Sequence, residues 1–209
     1  MRVLNLAGAA ALLSLAVTGA HAADLMTTTA PAVAVEAPAL SGFYAQIYGG
    51  ANLAGTLTFG DGEAADLNLG SAFGGAIGRE TPEGLALELD ALHTGRQWNT
   101  VPNYSLASTS IMADAKYSLR LSDAFDVYAG IGVGALNYTE TLMSGSTLSG
   151  WGMGYQVQLG ATLRFTDNLS AFAEYRYQNS FSPVAVTALA DDSVSAPGNL
   201  VLTGLKLGF

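Results

Sequence analysis

The stretch Trp151-Gly152-Met153-Gly154-Tyr155-Gln156-Val157-Gln158-Leu159-Gly160-Ala161-Thr162-Leu163-Arg164 decides the fold. Its odd positions hold Trp, Met, Tyr, Val, Leu, Ala and Leu. Its even positions hold only Gly, Gln, Thr and Arg. Successive side chains of a strand leave on opposite faces, so this pattern predicts one long strand with an apolar face and a polar face.

The same parity recurs on both sides of it. Leu85, Leu87, Leu89 and Ala91 alternate with Glu88 and Asp90, and Ile111, Ala113, Ala115, Tyr117 and Leu119 alternate with Met112, Asp114, Lys116 and Ser118. Val127, Ala129, Ile131, Val133 and Ala135 oppose Tyr128, Gly130, Gly132 and Gly134. Ala171, Ala173, Tyr175 and Tyr177 oppose Phe172, Glu174, Arg176 and Gln178, and Val201, Thr203, Leu205, Leu207 and Phe209 oppose Leu202, Gly204, Lys206 and Gly208. Two weaker strands are expected over 43–53 and 67–79, which brings the count to about eight. Three connections, around Pro82, Ser122 and Asp167, are short and carry turn residues. Four others, roughly 54–66, 95–106, 138–149 and 178–199, read as long loops. Short and long connections alternate, as in an antiparallel up-and-down meander whose two ends face different compartments.

Alternation alone also fits a water-soluble barrel, which turns its apolar face inward. Three features choose the inverted arrangement. The polar face is crowded with Gly, Ser and Gln where a hydrated face would carry many Lys and Glu; only 12% of the chain is charged, about half the usual share. The charges within strands balance on that face, with Glu88, Asp90, Asp114 and Glu174 against Lys116, Arg164, Arg176 and Lys206, so they are expected to form a lumen ion network. The apolar face ends in aromatic residues. Phe43, Tyr117, Phe125, Phe165 and Phe209 are expected at the short-turn end, and Trp151, Tyr155, Tyr175 and Tyr177 toward the long loops, as bilayer interfaces favour. The 25 glycines suit a narrow interior that must also hold Tyr128, Phe172 and Arg176. Ten residues, Leu85 to Thr94, suffice for a tilted strand to cross the hydrocarbon.

The first residues read differently. Arg2, an apolar run from Val3 to Val17 and Ala20-His21-Ala22 predict a signal peptide over 1–22, too short in its apolar core for a spanning helix. Residues 23–40, rich in Ala, Pro and Thr, predict a flexible linker, and 41–209 the barrel domain. Loss of Arg2 with the signal leaves one base fewer than the eight of the whole chain, seven against 17 acids. Such an acidic chain lacks the basic footprint of a nucleic-acid binder. No Cys is present, which excludes disulfides, Cys-ligated metals and a Cys nucleophile.

The C-terminal run Leu200-Val-Leu-Thr-Gly-Leu-Lys-Leu-Gly-Phe209, with Val201, Leu205, Leu207 and Phe209 on one face, resembles the terminal strand recognised by the barrel-assembly machinery of outer membranes. Gly42-Phe-Tyr-Ala-Gln-Ile-Tyr-Gly-Gly50, Val127-Tyr-Ala-Gly-Ile-Gly-Val-Gly134 and Ala173-Glu-Tyr-Arg-Tyr177 resemble segments of the small outer-membrane β-barrel family of OmpA-like and opacity-type proteins. The resemblance spans 41–209 and implies an all-β, eight-stranded antiparallel transmembrane β-barrel in the outer membrane of a Gram-negative cell. It carries no single activity, because the family includes structural proteins, adhesins and proteins without assigned roles. The chain ends at the barrel, so the peptidoglycan-binding domain of full-length OmpA-like proteins is not expected here.

Few residues suggest chemistry. Glu88 and Asp90 lie about 7 Å apart on one face, a spacing open to paired acid–base work, but a lumen ion network with Lys116 is the expected use. Glu174 is expected to face Lys206 across the last hairpin. His93, the one histidine after the signal, falls on the outward parity and is expected as an interfacial polar side chain. A lipid-modifying enzyme would set a Ser and an acid beside it. Asp61, Glu63 and Asp66, like Asp191 and Asp192, are expected in solvated acidic loops, though a cation such as Ca²⁺ could bridge them. No cofactor, metal site or catalytic residue is expected. The expected role is structural or surface-interacting. A narrow pore is the alternative, and a lipid-modifying enzyme a more remote one. The expected partners are outer-membrane lipids, the assembly machinery, and a host surface or phage at the long loops.

Overall fold

The computed structural model describes residues 42–59, 62–98, 104–142, 144–186 and 193–209. The expected signal peptide (1–22) and linker (23–40), together with Asp61, Asp191 and Asp192, lie outside the described residues.

Eight strands close a barrel: β1 (Phe43–Asn52), β4 (Gly70–Glu80), β5 (Leu85–Gln97), β6 (Ser105–Arg120), β7 (Phe125–Thr141), β8 (Thr147–Arg164), β9 (Leu169–Ser180) and β12 (Gly198–Gly208). Each pairs antiparallel with its neighbours in the order β1-β12-β9-β8-β7-β6-β5-β4, and β1 returns to β4. Closure leaves no free edge, the condition for a sheet to stand in lipid. The apolar parity faces outward. Leu87 is 64% exposed, Ile131 66% and Leu205 48%, whereas the even-numbered residues of the same strands are buried or half-buried. A soluble barrel would bury the first set, so the orientation is that of a membrane barrel.

The turns follow their sequence chemistry. In Thr81–Gly84 the Gly84 N–H donates to the Thr81 carbonyl, and Gly84 adopts φ +89°, a left-handed conformation that a side chain would strain.

Two of the long connections differ from expectation. Segments 54–66 and 178–199 are not plain loops. They contain β2 (Gly55–Phe59), β3 (Ala64–Leu67), β10 (Val184–Ala185) and β11 (Ser193–Ser195), which pair in the order β10-β11-β2-β3 as a second small sheet. Leu67, expected to open the second barrel strand, ends β3 instead, and that barrel strand begins at Gly70. Leu57, Leu67, Val184 and Val194 of this sheet pack on Leu106, Met112, Leu136 and Tyr138, which point into the barrel. The small sheet therefore caps the long-loop mouth with an apolar core. The other two long connections are shorter than expected, because β5 to β8 run 13 to 18 residues. This exceeds the nine to eleven or so needed to cross a bilayer, so the β7–β8 hairpin stands beyond it.

Candidate functional site

Three strands supply the charged layer of the lumen. β5 contributes Glu88 and Asp90, β6 Asp114 and Lys116, and β9 Glu174 and Arg176; all six are buried. Their spacing of two keeps each pair on the inner face. Room for them comes from β7, whose Gly130 and Gly132 lie opposite Lys116 and Asp114 in the ladder. A Cβ on Gly130 would come within 2.8 Å of Lys116 Cγ. Tyr128 likewise lies over Gly160, where a Cβ would meet its ring at 2.5 Å.

Two ion-paired centres are linked through Glu174. Lys116 Nζ is 2.7 Å from Glu88 Oε1 and 3.7 Å from Glu174 Oε2. Arg176 Nε donates to Glu174 Oε1 at 2.7 Å, and its Nη1 donates to Asp90 Oδ1 at 2.8 Å. The layer holds four acids and two bases. Neutral donors serve the surplus carboxylates. Tyr44 and Gln46 donate to Glu88 Oε2, Tyr48 to Asp90 Oδ2, Tyr128 to Glu174 Oε2, and Gln156 to Asp114 Oδ1. Hydrogen bonds to a charged acceptor are the strong ones, and they are what lets carboxylates stand away from water. Gln178 extends the network to Gln156 and Ser110.

Arg164 and Lys206 do not join this layer. Lys206 pairs in the ladder with Ser170, and Glu174 with Leu202. The expected Glu174–Lys206 contact is thus absent, because the two lie four residues apart along the strand axis. Lys206 Nζ instead meets Glu80 Oε2 at 2.6 Å and lies over the Tyr44 ring. Arg164 pairs with Asp126, which Arg120 also approaches at 3.8 Å. Both pairs sit at the short-turn rim, partly open to solvent.

Sequence reasoning missed Glu80, Asp126, Tyr44 and Tyr48, and placed Tyr128 in the interior without its acceptor, Glu174. Even parity was the available signal for all five. Tyr44 and Tyr48 do not stand out in sequence because a phenol reads as an interfacial or core residue until its acceptor is known.

Glu88, Asp90 and Asp114 bring one oxygen each to within 4.8 Å of one another, a spacing that could hold a cation. Five of their six oxygens are engaged by hydrogen bonds or, for Glu88 Oε1, by the ion pair with Lys116, and of the six only Asp114 Oδ2 has neither. The arrangement is an ion network rather than a vacant coordination sphere. It does not suit hydrolysis by Glu88 and Asp90 either. The cavity beside Glu88, lined by Tyr44, Gln46, Lys116, Tyr128 and Lys206, has about 20 Å³, room for a water but not a sugar. Beside the charged layer, Leu92, Leu200 and Leu202 form an apolar cluster with Tyr48 and Phe172.

On the outer wall, Phe43, Tyr117, Phe125, Trp151, Phe165, Tyr175 and Phe209 are exposed, and Tyr155 and Tyr177 half-buried. Tyr175 sits mid-strand in β9, donating to Asn199 Oδ1 at 2.7 Å. Phe181, not foreseen, stacks on Tyr155 with ring centroids 5.1 Å apart. Val201, Leu205, Leu207 and Phe209 form one outward row on β12 and its end. His93 bonds Thr109 Oγ1 through Nδ1 at 2.9 Å and lies against Phe73. Its immediate neighbours are therefore a hydroxyl and a ring, not a Ser and an acid.

Comparison with known proteins agrees with this architecture. A family model described as outer membrane protein beta-barrel domain matches residues 9–208. No curated protein matches. Among solved structures, Neisserial surface protein A aligns over 81% of this chain and 98% of its own, at 23% identity and a TM-score of 0.59. OprG from Pseudomonas aeruginosa covers 81% and 97% at 12% identity, TM-score 0.48. Ail of Yersinia pestis covers 80% and 100% at 13% identity, TM-score 0.47.

Proposed function

We propose, for a chain that belongs to the outer membrane protein β-barrel domain family, a structural and surface-interacting role in the cell envelope, without catalysis and without a conducting lumen. One observation carries this reading: buried side chains close the interior at its middle and at its long-loop mouth. Arg176 is fully buried between Asp90 and Glu174, Leu92, Leu200 and Leu202 pack beside it, and the small sheet covers the mouth. Eight strands leave an interior that side chains can fill. What reaches out is the β7–β8 hairpin, whose Thr141, Thr147 and Ser149 offer hydroxyls to a host surface or a phage. The outward row on β12 ending in Phe209 is the proposed contact with the assembly machinery. The aromatic rings are the proposed contact with lipid, and residues 1–22 the export signal removed on the way.

Planar-bilayer recording of the refolded barrel is expected to give no unitary steps. Stable, ion-selective steps would replace this reading with that of a narrow pore. Lipid A of cells with and without the protein is expected to have the same mass spectrum; a shift by an acyl chain would restore the enzyme reading and make His93 its first suspect.

A further inference from the structure

Where the apolar cap hands the chain back to the barrel, a buried charge ties it down. Arg96, near the end of β5, is buried beneath it. Its Nη1 donates to the Pro197 carbonyl at 3.1 Å and its Nη2 to the Ala196 carbonyl at 3.4 Å. Tyr138 Oη donates to the same Ala196 carbonyl at 3.2 Å. These two carbonyls belong to the break between β11 and β12, where the small sheet hands the chain back to the barrel. Pro197 has no N–H and cannot continue a ladder, so ladder pairing does not hold this junction and side chains from β5 and β7 hold it instead. The space is shaped for the guanidinium: a Cβ on Gly70 would lie 2.6 Å from Arg96 Cγ, and one on Gly55 3.2 Å from Nη1. Beneath the cap, Met112 is wholly buried in its apolar core.

We propose that β2, β3, β10 and β11 act as one lid over the outer mouth, and that Arg96, assisted by Tyr138, is the clasp that keeps it shut. The lid is the outer barrier of the lumen, whether or not the charged layer beneath it conducts. Single loops moving independently would not produce this barrier, because the lid's core draws on both the first and the last long connection. Opening requires the Arg96 bonds to break and the apolar core to part together.

The chain contains no Cys, so Met112→Cys places one thiol under the lid. In intact cells this thiol is expected to resist a membrane-impermeant maleimide. Adding Arg96→Ala is expected to speed labelling by about tenfold or more, since bonds from a charged donor are lost only from the closed state. Val194→Asp, which puts a carboxylate in the lid's core, is expected to do the same without touching the clasp. The heat-dependent gel shift of the barrel reports that each variant has assembled. Rapid labelling of Met112→Cys alone, or protection in both assembled double variants, overturns the lid. Labelling with Val194→Asp but not with Arg96→Ala overturns Arg96 as its clasp.

Discussion

Arg176 and Lys206 carry the same charge on inward positions of neighbouring strands, yet their surroundings differ. Arg176 is enclosed on all sides, and its removal leaves Asp90 and Glu174 facing each other's charge without water. Arg176→Ala is therefore expected to cost about 3–5 kcal/mol, the range for breaking a buried pair by deleting one partner. Lys206 retains 23% of its side-chain exposure, and its partner Glu80 25%, so both can rehydrate once separated. Lys206→Ala is expected to cost about 1 kcal/mol or less. Urea unfolding of the refolded barrel in detergent would measure both. Equal losses would contradict the division between a sealed charged layer and an open rim. The sequence alone suggested that Lys206 belongs with Glu174, because hairpin neighbours are the natural first guess. In a closed barrel, partners also meet over an intervening strand: Lys206 on β12 reaches across Tyr44 of β1 to Glu80 on β4, 126 positions away in the chain.

At the scale of elements, parity is the strictest constraint. Gly160 points inward and Tyr128 fills the space its missing side chain leaves; Ala161, one residue on, points toward lipid. Gly160→Val would drive a branched side chain into the Tyr128 ring and displace its bond to Glu174. Overpacking of this kind costs about 1–3 kcal/mol or more, and in a closed sheet neither strand can slide away. The assembled, heat-modifiable fraction is expected to fall sharply for Gly160→Val and to stay unchanged for Ala161→Val, and densitometry of unheated gels would settle the comparison. This one-residue contrast shows why the barrel was legible in sequence. A period of two in 10–18-residue strands leaves a signal that a single misplaced side chain cannot hide. The lid was not legible. Its strands have only two to five residues, too few for periodicity to register, and glycines and prolines beside them read as loop. Their buried Leu57, Val184 and Val194 became meaningful only when both connections were seen to meet over one mouth.

For the molecule as a whole, charge is segregated by compartment. Beyond β1 and β4, β5 and β6, β7 and β8, and β9 and β12, the connecting segments 53–69, 98–104, 142–146 and 181–197 contain no Lys or Arg, while they include Asp61, Glu63, Asp66, Asp191 and Asp192. The seven bases after Arg2 fall into two groups. Arg96, Lys116 and Arg176 are buried, and Arg79, Arg120, Arg164 and Lys206 lie toward the short-turn end. A face without cations has no means of holding polyanions by counterion release or steering, so the surface contacts proposed for the hairpin would rest on its hydroxyls and backbone groups. The same asymmetry yields a test of orientation. Short turns belong in the periplasm and long connections outside, so trypsin added to intact cells is expected to leave the chain whole, since it meets no accessible Lys or Arg. After the outer membrane is permeabilised, cleavage is expected first at Arg120, the side chain of which is 66% exposed. An endoprotease specific for Glu is expected to show the reverse preference, reaching Glu63 from outside, because Glu63 is exposed in the turn between β2 and β3. Tryptic fragments from unbroken cells would place the short turns on the outer surface, and with them would invert the lid, the hairpin and every partner assigned to that side.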